Sequence, residues 1–462
     1  MVSQYITEFS KYFIALFASF YTYECFSVFR FQTEGERSGI YIRQYIFMFF
    51  VHVSCFLPIY VKTGKIEYIF FFLFQQIAMY ATIVLYHLIY PQANRLVINN
   101  MCFLTAVGFT ILTRLSYNRA VRQFVIAVFS SVIAMVVPEL IMRVKNWRAY
   151  TWVYGGVGIV ALGAVLVLGA VTHGAKLSFS ILGVSFQPSE FIKIVFAFFI
   201  ASLLCRSRSF RNVALSAVLA GAHVIILVLS KDLGSALIYF VAYVVMVYIA
   251  TGQKWYLLAG LSGGSGAAYL SFRIFSHVQV RVQAWRDPWS VIDREGYQIT
   301  QSLFAIGCGG LFGLGLCQGS PSSIPFVTTD FIFSAIAEEM GILFSLCLIL
   351  VYISCFVMFM QIAISIKDDF YRLTVAGLGV TYLFQIFLTI GGGIKFIPLT
   401  GVTLPLISYG GSSVLSTIMM FSVIQGLYLA GGKKNATGKA TQKTERTKKE
   451  KTKKLGRQEH RR

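Results

Sequence analysis

Acidic residues are scarce in this chain, and Asp287, Asp293, Asp330, Glu338 and Glu339 all fall between Trp285 and Gly341. That stretch opens WRDPWS, runs through GYQITQSLFAIGCGGLFGLG and closes PFVTTDFIFSAIAEEMG. Arg281 and Arg286 flank Asp287 in sequence, an arrangement that predicts an ionised, oriented carboxylate. Such a carboxylate can act as general base toward an alcohol. Glu190 and Lys193 lie one helical turn apart after QPS, with Ser189 as the expected N-cap. An ionisable pair at a membrane helix end is a functional candidate, with depth-fixing by snorkelling as the alternative. Asp232, in SKDLG, and Asp330, in TTDFIF, each open an apolar run and read either as helix caps or as site residues. Glu338 and Glu339 lie two turns inside a span and require a cation or a base as partner. The glycines of GCGGLFGLG permit close backbone approach to a phosphate, a weak signal by itself.

The elements that must hold these residues are membrane helices. The chain of 462 residues is 56% hydrophobic and only 13% charged, well below the roughly 25% of soluble domains. Repeated apolar runs of about 20 residues indicate a polytopic helical membrane protein. Thirteen spans are expected, at about 8–29, 43–61, 67–90, 96–115, 118–141, 150–172, 190–205, 211–229, 233–250, 256–274, 331–358, 372–391 and 404–430. Spans 1–3 are aromatic-rich and nearly uncharged, and are expected to be a lipid-facing addition without catalytic residues. Between spans 12 and 13, Pro398, Pro405 and repeated glycines predict a shaped loop that could close over the same cavity.

Basic loops after the odd-numbered spans (Arg30, Arg37, Arg43; Arg143, Lys145, Arg148; Arg206, Arg208, Arg211; Lys254; Lys367, Arg372) predict a cytoplasmic side there. The N-terminus and the Asp287 loop are then extracytoplasmic. Arg114, Arg119, Arg122, Arg273, Arg281, Arg286 and Arg294 run against that vote and invite a phosphate-bearing ligand as explanation. Of the net charge of +21, the tail from Gly431 to Arg462 supplies +10. Its composition predicts a disordered segment resting on anionic lipid, and no aromatic residues interleave its charges to favour nucleic acid. The eight cysteines show no metal spacing, and a Cys308–Cys317 disulfide is only weakly suggested.

Taken together, FQPSEFIK, DLGSA, DPWS followed by GYQITQSLFAIGCGGLFGLG, TTDFIFSAIAEEMG and PLTGVTLPLISYGGSS resemble, in order, the signatures of the SEDS family (RodA, FtsW and SpoVE). The resemblance implies an all-α fold with a ten-helix core at 96–430, preceded by about three extra helices at 1–95 and followed by the basic tail at 431–462. It implies a glycosyltransferase that polymerises lipid II, a divalent cation (Mg or Mn), a class B penicillin-binding protein as partner, and the bacterial plasma membrane as location. By motif position Asp287 takes the place of the essential aspartate. Glu190, Lys193, Asp232, Arg281, Gln298, Gln301, Asp330 and Ser408 are the substrate-binding candidates, and no metal ligand is assigned. The sequence departs from the family at SKDLG, where a glutamine or glutamate and a proline usually precede DLG. It departs again at Thr328, where histidine or glutamate is usual. A lipid flippase is the competing class. However, transporter sites usually lie mid-membrane between repeats, and these carboxylates gather at one end.

Overall fold

A bilayer leaves no backbone amide to water, so each apolar run closes its hydrogen bonds within itself. The computed structural model describes residues 2–31, 34–144, 146–172, 175–181 and 184–432; Lys145 and the basic tail from 433 lie outside them. Five helices come first: α1 (Val2–Ser27), α2 (Glu34–Thr63), α3 (Glu67–Ile89), α4 (Arg95–Leu115) and α5 (Tyr117–Arg143). After α6 (Thr151–Leu168) come three short antiparallel strands, β1 (Ala170–Thr172), β2 (Ala175–Ile181) and β3 (Val184–Phe186), in the order β1-β2-β3. Then follow α7 (Pro188–Leu204), α8 (Phe210–Leu229), α9 (Leu233–Thr251), α10 (Lys254–Ile274), α11 (Ser276–Arg286) and α12 (Glu295–Gly309). The last helices are α13 (Ile332–Ser365), α14 (Asp369–Gly393) and α15 (Gly411–Gly432).

All thirteen expected spans are helical, but eleven helices among the described residues are long and apolar enough to cross a membrane. The two others are α7, with 17 residues, and α10, whose LSGGSG centre dilutes its apolar character and which buries no residue. Two boundaries also move. Span 6 ends at Leu168, because the alternating KLSFSI that follows is a strand pattern. Span 13 starts at Gly411 instead of 404, the preceding prolines and glycines forming loop.

Helices α1–α3 turn aromatic side chains such as Phe9, Phe13, Phe70 and Phe74 outward. Their inner faces are joined to the rest of the bundle. Asn100 of α4 accepts from Tyr21 (3.0 Å) and Cys25 (3.2 Å) of α1 and donates to Ser354 of α13 (2.8 Å). Asn99 donates to Gln44 of α2 at 2.8 Å. These amides lie in an apolar interior, where an unpaired polar group is costly, so the extra helices complete α4 as well as cover it.

Helix α13 is broken at Gly341 (φ 84°, ψ 171°). The glycine-rich segment after α12 fits into that break. The amides of Leu314 and Gly315 donate to the carbonyls of Glu338 and Glu339 (2.9 Å each), and those of Ile342 and Leu343 donate to Gly310 (3.0 Å) and Leu311 (3.1 Å). A Cβ at Gly309 would strike the Ala337 carbonyl, and one at Gly313 the Glu339 carbonyl. The close approach predicted from these glycines is therefore made to the protein's own backbone, not to a phosphate. Gly341→Ala combines a backbone conformation reserved for glycine with a collision against Gly313. It should cost at least about 3 kcal/mol, read as a lowered unfolding midpoint in detergent.

Candidate active site at the α11–α12 turn

Asp287 closes α11, its amide donating to Gln283 at 2.9 Å. Its Oδ1 accepts from the amides of Trp289 (3.2 Å) and Ser290 (3.4 Å), and Ser290 Oγ donates back to its carbonyl (2.9 Å). The carboxylate is exposed, and Oδ2 has no hydrogen bond among the described residues. Orientation thus comes from the turn's own amides. The expected clamp by Arg281 and Arg286 is not formed: Arg286 is exposed, and Arg281 reaches the Thr400 carbonyl instead, at 3.1 Å. Trp285 Nε1 donates to the Lys395 carbonyl at 3.1 Å, so α11 is anchored twice to the loop between α14 and α15.

That loop brings the remaining motifs together. A Cβ on Gly401 (φ 74°) would lie 3.7 Å from Asp330 Oδ2 and 3.8 Å from Arg281 Nη2. Burial works against the Arg281 charge, while the Asp330 and Asp232 carboxylates support it. Asp330 does not cap α13, whose N-cap is Phe331 with no side-chain bond. Ser408 Oγ donates to the Thr329 carbonyl (2.5 Å) and accepts from the Leu404 amide (2.9 Å). Gln123 holds the same corner by donating to Ser408 O (2.9 Å) and accepting from the Gly410 amide (3.0 Å). Arg119 donates to Thr328 Oγ1 and lies 5.6 Å over the Tyr409 ring. Gln298 and Gln301 are half-buried on α12, and neither side chain bonds another described residue.

Asp232 caps α9 through Oδ1, which accepts from the Ser235 amide at 3.1 Å. It also does more than cap: Oδ2 accepts from Ser189 Oγ (3.0 Å) and Gln187 Nε2 (3.3 Å), tying α9 to the start of α7. Ser189 is therefore not the N-cap of α7, which is Gln187. Burial pushes the Asp232 carboxyl above its ordinary range, while hydrogen bonds from Ser235 and Ser189 pull against that. The unusual SKDLG turn is a Schellman closure of α8. The Asp232 amide bonds Leu227 O (2.9 Å), the Lys231 amide bonds Val228 O (3.0 Å), and Lys231 takes the left-handed position at φ 63°. Lys231→Gly should stabilise the fold by up to about 1 kcal/mol, measured as a raised thermal midpoint.

Glu190 and Lys193 form a buried pair at 2.6 Å. Lys193 also donates to Gln385 of α14 (2.8 Å), and Ser416 of α15 donates to Glu190 (3.0 Å). Gln385 in turn donates to the Thr403 carbonyl at 3.0 Å. The pair is thus no snorkelling anchor; it locks α7, α14, α15 and their loop together. Glu339 finds the base it required in Arg114 of α4, at 2.8 Å, and Arg114 also bonds Gly319 O (3.2 Å). Arg114 is therefore spent within the protein, not left for a phosphate. Glu338 accepts from the Ser320 amide at 2.7 Å. Cys308 and Cys317 are free thiols, without the disulfide. Sequence reasoning missed Gln123, Gln385 and Ser416, which are uncharged and carry no local pattern.

Residues 70–429 match the FtsW/RodA/SpoVE family, described as "Cell cycle protein". The chain belongs to this family. The peptidoglycan glycosyltransferase RodA of Mycobacterium tuberculosis is 35% identical over 299 residues, covering 61% of this chain and 64% of that protein, under two thirds of its length. The Mycobacterium leprae RodA, of the same description, is 31% identical over 360 residues, covering 72% of this chain and 77% of that protein. A chain solved in a peptidoglycan synthase complex, in which polymerization and crosslinking are coordinated, superposes with a TM-score of 0.63 at 25% identity, covering 73% of this chain and 98% of that one. This family member is accordingly a multi-pass, all-α membrane protein with one small sheet among its described residues.

Proposed function

We propose that this chain is a peptidoglycan glycosyltransferase that polymerises lipid II, with Asp287 as its general base. The observation that carries the reading is the Asp287 carboxylate. It is exposed, fixed through one oxygen by two amides, and rooted on a helix anchored to the α14–α15 loop. Asp287 takes the proton of the acceptor sugar's 4-hydroxyl. The freed oxygen forms a bond to the muramic acid anomeric carbon as the bond from that carbon to the diphosphate breaks. The electron pair departs with undecaprenyl diphosphate, and the proton passes from Asp287 to solvent. The anomeric centre inverts, giving a β-1,4 link. A diphosphate leaves without a second carboxylic acid, in contrast to the alcohol of glycoside hydrolysis.

Among the described residues no three His, Cys, Asp or Glu side chains gather at a metal-binding distance. The described residues therefore build no cation cage of their own. A magnesium-like ion is commonly held by one or two carboxylates plus substrate phosphates, so the expected divalent cation fits best as a counter-charge bound to the diphosphate. The proposed setting is the bacterial plasma membrane, with the Asp287 turn extracytoplasmic and a class B penicillin-binding protein crosslinking the product. On the opposite end of the bundle, Arg148 pairs with Asp368 (2.7 Å) and Arg208 with Asp369 (2.8 Å), which supports the charge-based orientation by gathering the basic loops on one face. Reconstitution with lipid II and a divalent cation, with and without the transpeptidase, tests the reading. Glycan ladders are expected; lipid II movement across vesicles without any ladder would instead favour a flippase.

A further inference from the structure

Among the described residues, His277 is the imidazole on the helix that carries Asp287, and nothing so far uses it. It opens α11 one turn before Arg281, so the two side chains share a helix face. Its Nε2 is buried without a hydrogen-bond partner, and so is Thr400 Oγ1. Both atoms belong to residues that interact with Arg281, which donates to the Thr400 carbonyl at 3.1 Å and acts electrostatically on His277. Buried polar atoms without partners are rare and costly, so two around one arginine call for a ligand.

The surrounding charge says which ligand. The groups facing His277 are Arg281 on its own helix and Lys231 at the α8–α9 junction. Asp330, which borders the same Gly401 position as Arg281 Nη2, and Asp232 also act on Arg281. The Asp232 oxygens are already taken by Ser235, Ser189 and Gln187. The first turn of α9, with its positive dipole end, lies against Thr400, whose carbonyl is 3.2 Å from the Cβ position of Gly234. Gly401 keeps the space beside Arg281 Nη2 free of a side chain. Arg281, Lys231 and the first turn of α9 therefore supply donors and positive charge beside His277 and Thr400.

We propose that His277 is a further substrate-binding residue, which with Arg281 and Thr400 receives the diphosphate oxygens of a lipid-linked donor. This rests on the polymerase reading above. α10 ends at Ile274, so His277 stands at the edge of the bundle, where a lipid diphosphate would lie. Asp287 is ten residues further along α11, about 15 Å of helix, which directs the attached sugar toward the base. Burial, then Arg281 and Lys231, hold the free imidazole below its ordinary pKa. An incoming dianion reverses that balance, so binding takes up a proton. Affinity is then greatest below the free-state pKa and falls as pH rises through the bound-state value.

The test uses the full chain in nanodiscs with farnesyl diphosphate as probe, titrated between pH 5.5 and 8 (a range set about the ordinary His pKa). Wild type should bind more tightly as pH falls. His277→Ala should weaken binding about tenfold or more at the acid end and flatten the pH dependence, whereas His277→Gln keeps part of the affinity with no slope. In turnover, His277→Ala should raise KM for lipid II with little change in kcat. Equal affinity and slope in wild type and His277→Ala would overturn the proposal. So would a His277 effect seen equally with phosphatidylglycerol and no diphosphate. His277-dependent binding without glycan ladders would sink the polymerase reading alone; ladders with no His277 effect would sink the pocket alone.

Discussion

Asp287→Asn should give a folded protein that makes no measurable glycan ladder. Asparagine keeps an oxygen where Oδ1 accepts from Trp289 and Ser290, so the turn and the anchors at Trp285 and Arg281 survive. What disappears is the proton acceptor. Loss of a positioned general base typically costs 10²–10⁴ in rate, roughly 3–5 kcal/mol of barrier. The check pairs a lipid II assay with thermal unfolding of the same preparation. An unchanged midpoint with turnover lowered at least a hundredfold is expected. Turnover within tenfold of wild type would remove Asp287 from the role of base.

The second large effect is structural. Lys193→Met should lower stability by about 3–5 kcal/mol, because it leaves the Glu190 carboxylate buried with only Ser416 as donor. It also strips Gln385 Oε1 of its donor, loosening the link to Thr403. A double variant, Glu190→Gln with Lys193→Met, should recover much of the loss, since a neutral amide at 190 needs no counter-charge. Detergent-solubilised unfolding curves for the four members of this cycle measure the coupling. If the double variant is as unstable as Lys193→Met, the cost is packing and not an orphaned charge. Because the network reaches the α14–α15 loop, turnover in Lys193→Met should fall as well, even though Lys193 is not placed against the reacting atoms.

The resemblance to the family was legible because its motifs are contiguous, and each carries its signal in a few neighbouring residues. The small sheet was equally local, since KLSFSI alternates, but that stretch reads as plain connection after span 6, and β1 falls inside the end of the span. The misassigned partners share a different cause. Asp330 reads either as a cap or as a site residue from its place before an apolar run, and only the helix start past it, with Phe331 as N-cap, removes the first reading. Arg114 reads as a stray charge until Glu339, more than two hundred residues away, comes within 2.8 Å. The glycines before Gly315 read as a phosphate cradle because a sequence displays their freedom but not what approaches them.

Two kinds of information can be separated on physical grounds. The sequence alone determined the membrane helices, since apolar length and internal backbone bonding are properties of one segment. It also determined the Asp287 turn, whose carboxylate is held by amides two and three residues on. Tertiary structure alone decided which charges are spent and which remain free. Glu190, Lys193, Arg114 and Glu339 are consumed by partners on other helices, while Asp287 keeps an open oxygen and His277 an unfilled nitrogen. In an interior of low dielectric a charge's fate depends on the group a few ångströms away, and chain order does not specify that neighbour until the helices pack.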